Sequence, residues 1–130
     1  MAKLFLSTIA LVGLLSSAAL AQDVKVGTNF AQIGATAGQT VTIVSAANNT
    51  AGVIIRGAQM WTASNASAVL VMQHPDGVYR PFFYLTGQGN GANGYGILPY
   101  PLTIPAGYGL AISSSAGGSS GVYLHYDLQK

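Results

Sequence analysis

The sequence contains no cysteine and no glutamate, and charged residues make up only 6% of its 130 positions. Ordinary soluble domains contain about 25% charged residues. Without cysteine, the protein has neither a disulfide framework nor a thiolate nucleophile. Its acidic residues are Asp23, Asp76 and Asp127, so mechanisms that need a glutamate are excluded. We therefore expect that the protein is not an enzyme.

The first 21 residues have the three-part layout of a secretory signal peptide. Lys3 precedes an apolar run over residues 4–15, and small residues lead to an Ala-x-Ala site at residues 19–21. The apolar run is shorter than the ~20 residues that span a bilayer. We expect export and cleavage before Gln22, which leaves one domain over residues 22–130. The product is then secreted, periplasmic or at the cell surface, without membrane insertion.

Basic residues are also scarce after the signal peptide. Lys25, Arg56, Arg80 and Lys130 stand against the three aspartates, so the charges nearly balance. Nucleic-acid binding depends on many phosphate contacts from Lys and Arg that release counterions. This balance predicts no nucleic-acid partner.

Apolar residues after the signal peptide recur with period two, and no stretch has the spacing of an amphipathic helix. The pattern predicts strands at residues 24–26, with a continuation near 30–33, and at 40–45, 53–62, 68–73, 78–86, 102–104, 109–113 and 122–128. Clusters of Gly, Asn, Pro or Ser bound these segments. About eight short strands predict an all-β fold, namely a single-domain antiparallel β-sandwich or jelly roll.

The last predicted strand alternates most clearly between two faces. One face, expected in the core, carries Val122, Leu124, Tyr126 and Leu128, and the opposite face carries Tyr123, His125 and Asp127. Most members of the group of strand aromatic residues that includes Trp61 are expected in the core, by their number alone. Arg56 is expected to have a structural role, either exposed or paired with an aspartate.

Other strands make further predictions. Residues 53–55 and 68–72 are apolar on both faces, which predicts central strands and a covering layer or subunit contact outside them. Pro81 lacks a backbone N–H, so its strand should lie at a sheet edge or contain a bulge. Adjacent side chains on a strand point to opposite faces, so either Phe82 or Phe83 should leave the main core.

Residues 87–100, GQGNGANGYGILPY, contain five glycines and two asparagines between predicted strands. This composition predicts a long loop, which is either a mobile connection or an ordered functional segment. Aromatic side chains on glycine-rich loops often contact sugars or partner proteins. Tyr95, Tyr100, Asn90 and Asn93 are therefore the candidate ligand-binding residues.

The two histidines are the only side chains suited to proton transfer near neutral pH. His74 begins the sequence His-Pro-Asp-Gly, which is typical of a turn, and His125 lies two residues from Asp127 on a predicted strand. A metal site needs the turn to fold back against the last strand. We expect no catalytic residues, no metal and no cofactor, and a metal-dependent enzyme using both histidines is the least favoured alternative.

Three segments resemble short jelly-roll modules of phage and prophage virion and surface-fibre proteins: PLTIPAGYGL at 101–110, AANNTAGVIIR at 46–56 and LHYD at 124–127. The resemblance implies a structural or adhesive role and frequent trimerisation. The signal peptide departs from that family and favours an extracellular relative.

We therefore expect an exported, non-enzymatic β-sandwich that acts through its surface. It binds a glycan or another cell-envelope ligand, or packs with copies of itself as a homo-oligomer. The alternative is an extracellular structural subunit of a filament or matrix, formed by pairing of strand edges.

Overall fold

The structure is a computed structural model that describes residues 26–130. The predicted signal peptide at residues 1–21, and all but Val26 of the candidate strand at 24–26, lie outside the described residues. Val26 itself belongs to no strand. Within residues 26–130, no helix is long and apolar enough to cross a membrane.

Nine antiparallel strands make up the regular structure of residues 26–130. They are β1 (Asn29–Ala35), β2 (Thr40–Val44), β3 (Val53–Thr62), β4 (Ser67–Gln73), β5 (Tyr79–Thr86), β6 (Gly94–Ile97), β7 (Leu102–Ile104), β8 (Gly109–Ser114) and β9 (Ser120–Leu128). Most of them match predicted strands closely, and β3 and β7 match at both ends.

The strands form two packed sheets. A five-stranded sheet has the order β1-β9-β3-β6, with β7 also paired to β3, and a four-stranded sheet has the order β2-β8-β4-β5. If β6 and β7 are taken as one interrupted strand, this is the eight-stranded, two-sheet arrangement of a jelly roll. The predicted fold class, an antiparallel β-sandwich or jelly roll, is therefore confirmed.

The core lies between the inner faces of the two sheets. Its largest fully buried apolar side chains are Ile55, Met60, Leu70, Leu110, Ile112 and Leu124. Val122 and Leu124 of β9 are buried, and Tyr123 between them is exposed, as the alternation predicts. Burial of such aliphatic side chains contributes about 1.5–3 kcal/mol each and is the main stabilising term for a domain without disulfides.

The prediction that residues 87–100 form one long loop is wrong. Gly94–Ile97 is a strand, β6, paired with the end of β3, and the Leu98 N–H continues this contact by donating to the Ala58 carbonyl at 2.9 Å. A Cβ on Gly94 would lie 2.6 Å from the Thr86 carbonyl oxygen. This glycine therefore permits close backbone approach, which sequence reasoning interpreted as loop flexibility.

Strand β5 agrees with one prediction and contradicts another. It lies at the edge of its sheet, and its register with β4 shifts next to Pro81, so the proline prediction is confirmed. Phe82 is the extra residue at this bulge, and both Phe82 and Phe83 pack against the core. The prediction that one ring leaves the core is wrong because the bulge interrupts the alternation.

Strands β3 and β4 are central in their sheets, as their two-sided apolar pattern predicts. The covering layer expected outside them is absent from residues 26–130, which form only the two layers. The outer faces of both sheets are therefore surfaces of the described domain.

Candidate functional site

The outer face of the five-stranded sheet brings together aromatic and amide side chains from four strands. Strand register aligns them in rows: Gly34, Gly121, Trp61 and Tyr95, then Gln32, Tyr123, Gln59 and Ile97, then Phe30, His125 and Gly57. We call the side chains of these three rows the aromatic face.

Trp61 lies over the backbone of β9 because its neighbour across the sheet has no side chain. A Cβ built on Gly121 would lie 2.5 Å from Nε1 and 2.7 Å from Cε2 of the indole. The next residue in the row, Gly34 on β1, also lacks a side chain, so no side chain projects from the sheet at these two positions beside the indole. The two glycines thus leave an indole resting on a flat part of the sheet.

The other aromatic rings of this face are open to solvent. Tyr95 of β6 is opposite Trp61 and is 68% exposed, Tyr123 of β9 is 39% exposed, and Phe30 of β1 is 57% exposed. Soluble domains usually keep large apolar side chains scattered rather than grouped, and a group of them indicates a contact surface.

His125 is packed against Phe30 on this face. Their ring centroids are 5.0 Å apart with a 47° angle between the planes. The contact gives the imidazole a packing role at the β1–β9 pair.

The face ends in a charged cluster where β1 begins. Asp127 Oδ1 accepts hydrogen bonds from the Thr28 N–H at 2.7 Å and the Thr28 hydroxyl at 2.9 Å, and Arg56 Nε donates to Oδ2 at 2.7 Å. The hydrogen bond from the Thr28 backbone, followed by those from the Arg56 and Thr28 side chains, lowers the pKa of Asp127 to about 2. The expected structural pairing of Arg56 with an aspartate is confirmed.

The four candidate ligand-binding residues are all exposed, but the structure separates them. Tyr95 lies on β6 within the aromatic face. Asn90 and Asn93 precede β6, where the Asn90 side chain accepts a hydrogen bond from the Ala92 N–H at 3.4 Å. Tyr100 lies beyond the opposite end of β6, before β7. Of the four predicted residues, two therefore lie before β6, one lies on it and one lies after it.

The two histidines belong to different sheets. His74 begins the β4–β5 turn, where the Gly77 N–H donates to its carbonyl at 2.8 Å and the Val78 N–H donates to Asp76 Oδ1 at 2.9 Å, so the predicted turn is confirmed. His125 lies on β9 in the aromatic face. In the described part of the chain, no three His, Asp or other metal-binding residues lie close enough together to hold an ion.

The outer face of the four-stranded sheet has a different character. It is dominated by small and hydroxyl side chains, such as Thr40, whose hydroxyl donates to Ser113 Oγ at 3.0 Å. Tyr84 is 61% exposed there, and hydrogen bonds with the Ser67 and Thr86 side chains lower its pKa. This tyrosine is a useful reference because it is as open as those of the aromatic face.

Of the aromatic face, the sequence predicted only Tyr95 as a site residue and missed Trp61, Tyr123, Phe30, Gln59 and Gln32. Strict alternation along β3 assigns Trp61 to the same face as buried Ile55. The register with β9 shifts between Ile55 and Gly57, so Arg56 is an extra residue and the two faces exchange. A weak signal was present, because Gln59 and Trp61 alternate with Met60 and Thr62, which are fully buried.

No protein-family model matches this chain, and no curated protein is detectably similar to it. The functional argument therefore depends on the site itself.

Proposed function

We propose that this protein is an exported, non-enzymatic β-sandwich that binds a glycan through its aromatic face. The observation that supports this most directly is the group of Trp61, Tyr95 and Tyr123 on one face of the sheet, where Tyr95 and Tyr123 are exposed and Trp61 is partly buried. The rings are held by rigid strands, so little conformational entropy is lost when a ligand binds.

The chemistry of the face suits sugars. Aromatic rings offer flat apolar surfaces against which the C–H faces of sugar rings pack, and the tyrosine and tryptophan polar atoms stay available at the ring edges. Gln59 and Gln32 flank Tyr123 on the neighbouring strands. A glutamine amide both donates and accepts hydrogen bonds, which matches the hydroxyl groups of a sugar.

The non-enzymatic part of the proposal is supported by the ionisable groups near the face. Asp127 is the carboxylate closest to the rings in the strand register, and Thr28 and Arg56 occupy both of its oxygens. A carboxylate with a pKa of about 2 is a poor proton acceptor near neutral pH. His125 is engaged with Phe30 rather than with that carboxylate. Export is supported by the signal-peptide pattern of residues 1–21 alone.

The test is a glycan array followed by affinity measurement on the strongest hit. Trp61→Ala and Tyr95→Ala should each weaken binding by about fivefold or more, since truncation of an aromatic anchor at an interface costs ~1 kcal/mol or more. Tyr84→Ala, on the other sheet, is the matched control and should bind like wild type. Loss of binding in all three variants, or in none, contradicts the assignment to this face.

Tyr100, Asn90 and Asn93 remain candidate residues at the border of the site. Tyr100→Ala, measured on the same array hit, tests whether the ligand reaches past β6 toward β7. Unchanged affinity restricts the site to the strands.

Self-association through β1 is a second candidate function. β1 is a seven-residue edge strand without proline or charge, and its pairing with β9 has no register shift. Other edges are interrupted: β5 by Pro81 and its bulge, and β2 by a register shift. Unbroken, uncharged edges are the ones that pair with another chain.

This geometry favours a closed dimer over a filament. An edge that pairs with the same edge of a second copy gives a two-fold dimer, whereas a filament needs a second complementary edge. The opposite edge of this sheet consists of β6 and β7, of four and three residues. The resemblance to virion modules implies structural or adhesive roles and frequent trimerisation, so it does not favour the dimer over other assemblies.

Sedimentation over a range of concentrations tests the dimer. Wild type should show a reversible monomer–dimer equilibrium. Gln32→Lys, which puts a charge on the edge strand, should shift it to monomer, and Gln59→Lys on central strand β3 should not. A monomer at every concentration contradicts self-association, and fibres in electron micrographs of secreted protein favour the structural-subunit alternative instead.

A further inference from the structure

Three aromatic rings of the face lie on one diagonal line across the sheet. Trp61 on β3 is opposite Gly121 of β9, and Tyr123 is the next residue of β9 on the same face. Phe30 on β1 is opposite His125, which is the next same-face residue of β9 after Tyr123. Each step from Trp61 to Tyr123 to Phe30 therefore crosses one strand and moves two residues along the sheet. Tyr95 on β6 is directly opposite Trp61, so it lies beside that end of the line. The rings therefore form a track rather than a single cluster.

The track is longer than one sugar ring. Diagonal neighbours on adjacent strands are ~7–8 Å apart, so Phe30 and Trp61 are separated by about 15 Å. Gln32 and Gln59 lie on either side of the middle ring, Tyr123. Amides are thus placed beside the centre of the track, where they reach hydroxyl groups on both edges of a bound chain.

Both ends of the track are open. Phe30 lies on edge strand β1 and Tyr95 on edge strand β6, and both are more than half exposed. Since the described domain has no further layer on this side, a chain can continue past either end. A site for a chain terminus requires a closed end, and an open track suits the interior of a chain.

The track has no net formal charge. Among residues 26–130, the charged groups on this face are Arg56 and Asp127, which are paired at one end of it with N···O 2.7 Å. Asp76 and Arg80 belong to the turn and edge of the other sheet. An anionic sugar would therefore lose hydration on the track without gaining a cationic partner.

We propose that the aromatic face binds the interior of a neutral polysaccharide chain, laid along the diagonal from Tyr95 and Trp61 through Tyr123 to Phe30. This inference rests on the proposed glycan binding and specifies its ligand class. It predicts that affinity increases with chain length and does not depend on salt, since no ion pair forms with the ligand.

The experiment is calorimetry with three neutral hexasaccharides, namely cellohexaose, fully N-acetylated chitohexaose and laminarihexaose, with the disaccharide of each series, and with polygalacturonate and heparin, at low and high salt. At least one neutral hexasaccharide should bind on the order of tenfold more tightly than its disaccharide, with the same affinity at both salt concentrations. Phe30→Ala should reduce the hexasaccharide affinity on the order of tenfold and leave the disaccharide affinity unchanged. Tyr84→Ala is the control and should bind both like wild type.

The outcomes separate this inference from the proposed function. Equal affinity for the hexasaccharide and the disaccharide overturns the track and keeps the glycan site. The same conclusion follows if Phe30→Ala leaves the hexasaccharide affinity unchanged while Trp61→Ala abolishes binding. If the protein binds only polygalacturonate or heparin, and salt weakens that binding, the proposal of a neutral ligand is wrong. Binding to no glycan overturns both proposals.

Discussion

Asp127 connects three parts of the chain that are distant in sequence. Its carboxylate joins Thr28 at the start of β1, Arg56 at the β3 bulge and its own strand β9. The sequence predicted that Arg56 is either exposed or paired with one of three aspartates, and the register of β9 with β3 selects Asp127. This ion pair is partly exposed, so its main effect is to fix where β1 begins.

Acid should remove the contribution of Asp127 to stability. Its pKa is lowered from 3.8 to about 2 in the folded protein, so its stabilisation is complete above pH ~4 and is lost as the pH falls toward 2. Asp127→Asn should flatten this part of a plot of melting temperature against pH. Asp76→Asn, in the β4–β5 turn away from this cluster, is the control for the loss of one carboxylate elsewhere. Identical curves for wild type and Asp127→Asn would refute the assignment.

A second prediction concerns Asn49, a polar residue that is 1% exposed. Its Nδ2 donates to the carbonyls of Pro105 at 2.6 Å and Tyr108 at 2.8 Å, and its Oδ1 accepts from the Gly52 N–H at 2.8 Å. Asn49→Ala leaves these groups unpaired and should destabilise the fold by ~2–4 kcal/mol in urea unfolding.

The neighbouring residue provides the control for Asn49. Asn48 is exposed, and Asn48→Ala should lie within ~0.5 kcal/mol of wild type. Similar losses in both variants would indicate a general effect on the β2–β3 connection. Asn49→Ala that still folds should bind glycan normally, because the aromatic face lies on other residues.

At the scale of elements, the bulge in β3 decides what the outer face contains. Before it, Val53 and Ile55 face the core, and after it Ala58 and Met60 do so. Alternation predicted the core face of β9 correctly at Val122, Leu124 and Tyr126, but Leu128 at the strand end, also expected in the core, is 40% exposed. Along β3, strict alternation from Ile55 would give the wrong face for Trp61, because one extra residue exchanges the two faces of a strand and leaves no mark in composition.

The glycine beside Trp61 allows a test of this element that leaves the aromatic residues intact. A methyl group on Gly121 would collide with the indole, so Gly121→Ala should tilt Trp61 and reduce glycan affinity severalfold. Gly34 belongs to the same row, and the atom nearest to its added Cβ is the Ser120 carbonyl oxygen at 3.9 Å. Gly34→Ala should therefore bind nearly normally. Equal affinity in both variants would mean that the indole position does not matter.

At the scale of the whole molecule, alternation and turn residues were sufficient to predict a sandwich of about eight strands, with most boundaries within one or two residues. The missing strand, β6, consists of Gly, Tyr, Gly and Ile. Gly94 approaches the β5 backbone closely and Gly96 lies against β5 side chains, and local sequence does not distinguish such glycines from loop composition. The aromatic face combines residues from four strands, so it depends on a sheet order that no local pattern specifies.

The most direct test of the proposed glycan face is an NMR titration of amide signals with the tightest-binding neutral hexasaccharide. The largest shifts should occur on the central strands of the five-stranded sheet, near Trp61 and Tyr123, at Phe30 on β1, and at the Trp61 indole N–H. Largest shifts on β4 and β5, or confined to residues 87–93, would contradict the account, as would a spectrum that does not change.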